Sequence, residues 1–326
     1  MPALLRVHTY PVEIFAQFSA FYNEAAATAL AVPVIIVALL LLALQRFWMR
    51  DRSYVVMDTG RVKAAPFSLG KLRWPALVYL IVLSMMAVGL PLATLAVQTG
   101  SLAVFKAVWR SAGREIIFTT SLALTAATVI TALAYLLAGS QWKRTSRFNA
   151  WLDMFFFAPL ALPATVLGIG LIYVWNRPAT QVVYTGAGIL VIAYAARFVP
   201  FSLQAVLSGL RQVGPGLREA AWLYQGSWWK RTLAVDLPLC LPSIMAGWSI
   251  AFILCMSELG ATLLVIPPGR GTIALKIYNL MHYGANQMVA ALSLVLILIN
   301  LLVAAGVVVG LRHRGHRNET SSGTEK

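Results

Sequence analysis

Apolar residues run in long blocks along this chain, without the every-second-residue alternation of a half-buried strand. A helix needs about 20 mostly apolar residues to cross a bilayer. Seven blocks meet that length: Ala25–Leu44, Pro75–Val97, Ile116–Ala138, Trp151–Trp175, Val182–Ser208, Ser243–Ile266 and Val289–Leu311. Strands of a membrane barrel are about 10 residues long and alternate, so the blocks predict an all-α polytopic membrane protein of about seven transmembrane helices. The fourth block holds Pro159 and Pro163 and is expected to kink. The fifth is the weakest, because Arg197 and Pro200 interrupt it. The first block is too long for the apolar core of a secretory signal, and no such signal precedes it.

Composition sharpens this picture. Of 326 residues, 60% are hydrophobic and only 11% are charged, against roughly 25% charged in an ordinary soluble domain. A soluble globular enzyme and a disordered chain are both excluded. The net charge of +15 does not argue for nucleic acid, because such proteins carry basic patches on a polar surface, and this chain has little of one. Cys240 and Cys255 form no CxxC pair and have no histidine at metal-ligand spacing. Both read as small apolar residues. Neither a metal nor a cofactor is expected.

The basic residues are distributed unevenly. Segments 45–74, 141–150, 209–242 and 312–326 carry 18 Lys/Arg, whereas 1–24, 98–115, 176–181 and 267–288 carry 7. Basic loops stay in the cytoplasm, so the first set and the C-terminus are expected there, with the N-terminus outside. The expected location is a bacterial inner membrane, with lipid as the surrounding partner.

The segment before the first block resembles the segment before the last. Thr9, Ile14 and Phe15 align with Thr272, Ile277 and Tyr278, and Ala29-Leu30 with Ala291-Leu292. Internal duplication is common in transporters. On this reading residues 1–74 are an N-terminal transmembrane helix and cytoplasmic linker left from a preceding module. Residues 75–311 are one complete six-span module, and 312–326 are a basic tail. The alternative is an ordinary seven-span protein with an extra N-terminal helix.

Residues 209–242 are the most informative stretch: GLRQVGPGLREAAWLYQGSWWKRTLAVDLPLCLP. Gly214-Pro215-Gly216 breaks any preceding helix. Leu217 to about Gln225 can form a short helix, with Glu219 in its first turn, where the helix dipole favours an acid. Ala220 and Ala221 permit close approach, and Gly226 is a plausible stop. Pro238 and Pro242 mark the return to the membrane. A helix of about ten residues is roughly 15 Å long, too short and too polar to span. It can dock a partner, or it can lie on the surface with tryptophan anchors.

Glu219-Ala220-Ala221, then fifteen residues, then Leu237-Pro238 resembles the EAA loop of bacterial ATP-binding-cassette (ABC) importer permeases. The family has Gly after three residues that follow the second alanine, and an apolar residue or Thr before Leu-Pro; this chain has Gln225 at the first position, with Gly226 one place later, and Asp236 at the second. Ala195-Ala196-Arg197-Phe198-Val199-Pro200-Phe201 resembles the family's Arg-x-x-Pro-Phe element. Ser257-Glu258-Leu259-Gly260-Ala261-Thr262-Leu263-Leu264, followed by Pro268-Gly269, resembles the ferric-iron type of permease, often two fused six-span modules. The resemblance covers about 75–311. It implies a MetI-like six-helix permease module plus one extra N-terminal helix. It also implies coupling through Glu219, Ala220, Ala221, Gly226, Leu237 and Pro238 to a cytoplasmic ABC ATPase dimer. The further partners implied are a second permease module and a periplasmic substrate-binding protein; the first cargo implied is ferric iron, with thiamine, a phosphonate, sulfate or a polyamine as the alternatives.

Two charged residues fall inside blocks. A charge in a span costs at least a few kcal/mol and should face a cavity or a partner. Glu258 either lines the path or a permease–permease interface, or sits solvated near the outer surface. Arg197 either positions the loop or snorkels to the cytoplasmic end. Gly306-x-x-x-Gly310 matches a close-packing pattern, one too common by chance to be read as a contact. No Gly-x-x-x-x-Gly-Lys-Ser/Thr phosphate loop is present, so any ATP must be hydrolysed on another chain. No catalytic set appears, so the chain is not expected to be an enzyme. The competing class is a secondary transporter or channel with no ATPase.

Overall fold

A computed structural model describes residues 9–49, 70–141, 156–160, 162–212 and 232–323. Its main elements are helices: α1 Tyr10–Ser19, α2 Glu24–Met49, α3 Gly70–Thr99, α4 Ala103–Gln141, α5 Ala164–Trp175, α6 Gly188–Gln212, α7 Leu237–Met256, α8 Ile273–His282 and α9 Asn286–Gly323. Among the described residues, α2, α3, α4, α6, α7 and α9 contain runs long and apolar enough to cross a membrane, and α5 is a shorter apolar helix. The all-α polytopic expectation holds.

Three of the predicted spans differ in detail. The fourth is divided: residues 156–160 are helical, and α5 starts afresh after Pro163. Pro163 is extended (φ −54°, ψ 140°), and its ring removes the N–H a continuing helix would need. The fifth is less broken than expected. Pro200 lies inside α6 and is buried, yet the helix runs through it. Neighbouring helices and local adjustment compensate a lost backbone bond where water is absent. The sixth is shorter at its far end: α7 stops at Met256, and Ser257–Ala261 leave the helix before a single turn over Thr262–Val265.

The core is a three-helix cluster of α4, α6 and α7. Ala123, Ala126, Ala127 and Ile130 of α4 meet Ile189, Leu190 and Ala193 of α6 and Ala251, Phe252 and Met256 of α7. Helix association in lipid depends on close packing and interhelical hydrogen bonds, because the tails are as apolar as leucine. Both devices are present. Thr131 and Ser202 share a buried hydroxyl contact of 3.2 Å, and Trp248 Nε1 donates to Thr128 Oγ1 at 3.1 Å. A Cβ on Gly209 would lie 2.2 Å from Ser243 Oγ, and one on Gly247 would lie 2.8 Å from Ser202 Oγ. These two contacts run in opposite chain directions, so α6 and α7 are antiparallel. By contrast, a Cβ on Gly306 or Gly310 would meet nothing within 4 Å.

Contacts also join chain ends predicted to share one side. Tyr173, at the end of α5, donates to Glu24 at the start of α2. Gly100, after α3, lies beside Gln287 at the start of α9. Glu115 of α4 pairs with Lys276 of α8. The two aligned sequence segments form similar structures. α1 and α8 each have ten residues, follow a threonine in extended backbone (Thr9 and Thr272), and lead into a long helix. Ile14 and Ile277 are both buried.

Candidate functional site

The antiparallel α6–α7 pair brings both ends of segment 213–231 to one end of the bundle. Of the residues expected to couple to a partner, Glu219, Ala220, Ala221 and Gly226 lie outside the described residues. Leu237 is the first residue of α7 and half-buried, and Pro238 follows it, exposed. Proline suits this position, because the first turn of a helix does not use its N–H groups internally. A π-helical turn over Thr232–Asp236 leads in.

The two intramembrane charges come together. Arg197 Nε lies 3.6 Å from Glu258 Oε2. Glu258 is only 8% exposed, so the solvated alternative does not describe it. Arg197 is followed by fifteen further residues of α6, about 22 Å at 1.5 Å each. It is therefore too deep to snorkel to that end, and its buried partner explains its place. Its Nη1 is buried without a hydrogen-bond partner among the described residues.

Glu258 sits in the non-helical stretch after α7, and several bonds hold that stretch. The backbone N–H of Ala261 donates to Glu258 Oε1 at 3.0 Å, and Thr262 Oγ1 donates to the Glu258 carbonyl at 3.0 Å. One turn before Arg197 on α6, the hydroxyl of Tyr194 meets Thr262 Oγ1 at 2.8 Å. Thus α6 grips the stretch at two points a turn apart. The opposite side presses on α5: a Cβ on Gly260 would lie 2.5 Å from Ala164 Cβ, and one on Gly168 would lie 2.7 Å from Leu264. Non-helical backbone at membrane depth survives only where protein or a water-filled cavity surrounds it. Here α5 and α6 surround it, and the Glu258 carboxylate takes up one backbone donor that the helix released.

A second cluster escaped the sequence reading. A cavity of about 430 Å³ lies between α4 and the loop into α8, lined by Arg114, Glu115, Phe118, Arg270 and Lys276 among others. In sequence these residues are scattered charges in two weakly basic segments. The helical spacing of Arg114 and Phe118 (i, i+4) was the available signal, but it does not reveal a loop 150 residues away. Chemically, the membrane-embedded pair is neutral and serves to lock α6 to the stretch after α7, whereas the cavity has excess positive charge.

Comparison with known proteins agrees with this architecture. Residues 130–309 match the family described as binding-protein-dependent transport system inner membrane component. The putative 2-aminoethylphosphonate transport system permease protein PhnV of Salmonella typhimurium is 33% identical over 156 residues, 47% of this chain and 57% of that protein. The chain thus spans little more than half the length of that relative. The putative molybdenum transport system permease protein YvgM of Bacillus subtilis is 29% identical over 182 residues, 51% of this chain and 80% of that protein. The spermidine/putrescine permease protein PotC of Escherichia coli is 25% identical over 183 residues, covering 56% and 68% respectively. None of these names mentions iron. A bacterial alginate ABC transporter, solved in complex with an alginate-pentasaccharide-bound periplasmic protein, shares the fold with a TM-score of 0.59 at 18% identity, covering 76% of this chain and 94% of that one. The match spans α6, α7 and the segment between them, and with it this chain belongs to the family of binding-protein-dependent transport system inner membrane components.

Proposed function

We propose that the chain is the permease subunit of an ABC importer, forming part of a path across the inner membrane and coupled to a separate ATPase through residues 209–242. The observation that carries this reading is the antiparallel α6–α7 pair. It delivers both ends of the EAA-like segment to one end of the bundle, inside the region that matches the family. The segment docks on the ATPase through Glu219, Ala220 and Ala221, while Gly226, Leu237 and Pro238 shape its return to the membrane. Closure of the ATPase dimer pulls on α6 and α7 together. Because α6 holds Glu258 through Arg197 and Thr262 through Tyr194, that pull reaches the stretch after α7. A second permease module and a periplasmic binding protein complete the assembly. The uneven distribution of basic residues supports a cytoplasmic segment 213–231 and C-terminus.

The repeat of a ten-residue helix leading into a long helix supports reading residues 1–74 as the end of one module and 75–311 as a second, complete one. The substrate names of the relatives differ, so family membership specifies the machine and not its cargo. Ferric iron rests only on the resemblance around Ser257–Leu264. Reconstitution in liposomes with an ATPase subunit and a binding protein tests the function. Uptake should require ATP and persist when ion gradients are collapsed. Uptake driven by a proton or sodium gradient without ATPase contradicts the proposal and supports a secondary transporter.

A further inference from the structure

We infer that the cavity between α4 and the loop into α8 binds a small tetrahedral oxyanion at the outer mouth of the path. The inference deepens the importer reading and rests on the orientation proposed with it.

The site begins with the length of α4. Its first thirteen residues, Ala103–Glu115, precede the predicted span at Ile116, and thirteen residues of helix reach about 20 Å. Arg114 and Glu115 therefore stand at the membrane's outer edge. The loop 267–272 is fixed against them. Gly269 has φ +75°, a conformation that side chains disfavour. A Cβ on Gly271 would lie 3.1 Å from Glu115 Cγ, so the loop backbone approaches α4 closely. The N–H of Ile273 donates to Thr119 Oγ1 at 2.9 Å, and the hydroxyl of Thr272 caps α8 by accepting from Leu275 N. The cavity walls are thus held from both sides, and the positive end of the α8 dipole adds to their charge.

The charges do not cancel. Lys276 Nζ lies 3.3 Å from Glu115 Oε1, which neutralises the carboxylate. The Arg270 guanidinium stacks over the Phe118 ring with 5.2 Å to its centroid. A cation held on a ring face keeps its planar fork of N–H donors for another acceptor. Arg114 has no ion-pair partner among the described residues. Two guanidinium groups are therefore in excess, in a cavity of about 430 Å³. That volume is within the usual range for small-ligand sites, and guanidinium forks match the paired oxygens of phosphate-like groups. The same excess charge disfavours a polyamine or a metal cation. A cleft with an excess of one sign of charge raises the local concentration of its counter-ion, which suits a cargo just released by a binding protein.

The test uses the full chain in nanodiscs at low ionic strength, with inorganic phosphate and sulfate as probes and spermidine as the cationic control. Equilibrium dialysis should show saturable binding of one or both anions and none of spermidine. Arg114→Gln with Arg270→Gln should weaken anion binding at least tenfold. Arg110→Gln, the same charge change one turn along α4 and outside the cavity, should leave it within twofold. Equal losses in the double variant and the control, or no saturable anion binding at all, overturn the inference. So does a double variant that keeps its anion affinity but loses a periplasmic protein partner, because the cavity is then a docking face. Binding here needs no ATP. Loss of anion affinity in a chain that recruits no ATPase would leave the site standing and remove the importer reading.

Discussion

Helices α6 and α3 are both apolar enough to span a membrane, yet the chain uses them in opposite ways. α6 buries residues along its whole length, from Ile189 to Leu210. α3 buries only Thr99 at its end, and Leu77, Val78, Leu80 and Ile81 are all exposed. Hydropathy qualifies both as spans and is higher for the exposed α3, but it does not say which helix is buried, because lipid and protein interior are both apolar. Small and polar residues do. α6 carries Ser202 and Gly209, which let α7 approach, and Tyr194 and Arg197, which bond across to Thr262 and Glu258. Over Arg73–Ser84, α3 offers neither feature, and its exposed face is left to lipid or to another permease module.

This contrast can be broken by mutation. The largest effect belongs to Gly209→Leu. Even a Cβ there would lie 2.2 Å from Ser243 Oγ, and overpacking of a tight contact costs ~3 kcal/mol at the upper end of its usual range. The variant should unfold markedly earlier in a detergent-denaturation titration, and adding Ser243→Gly should recover part of the loss. Next comes Arg197→Ala, which leaves Glu258 buried without its cation. Breaking a buried pair costs about 3–5 kcal/mol, and about 2 kcal/mol is expected here because the Arg197 side chain is 24% exposed. Arg197→Met with Glu258→Gln should lose less than the single variant, and equal losses would show that the pairing does not matter. A smaller step is expected from Thr131→Val, which removes one buried hydroxyl contact to Ser202 worth about 1 kcal/mol. Least of all, Leu80→Ala on α3 should change stability by no more than about 0.5 kcal/mol, as for substitutions away from packed features. A loss above 1.5 kcal/mol there would show that a partner covers α3 and would sharpen the contrast into one between two interfaces.

The sequence was most informative where the signal is a sum over many residues. Seven apolar blocks were legible because each averages some 20 positions. The helix breaks were harder. Pro163 and Pro200 look equivalent in sequence, yet one stands in extended backbone just before a helix starts and the other sits inside one. The difference lies in what surrounds the lost hydrogen bond, which sequence does not show. Glu258 carried the same ambiguity. As an isolated acid near Pro267-Pro268 it could have been solvated, and only folding brings Arg197, 61 positions earlier, to 3.6 Å. The cavity between α4 and the loop into α8 was invisible for the same reason, since only the fold brings Arg114 and Arg270 to its lining. The EAA-like segment proposed to couple is the reverse case. Its spacing was plain from Glu219 to Pro238, a local pattern that needs no tertiary contact to be recognised.

The central claim, engagement of an ATPase through that segment, is tested most directly by co-purification. The chain should be co-expressed with the ABC ATPase of its own system, extracted in mild detergent and captured by a tag on the permease. The wild-type chain should retain the ATPase. Glu219→Lys and Ala221→Trp should each release it while the permease itself remains monodisperse. Full retention by both variants would contradict coupling through 209–242.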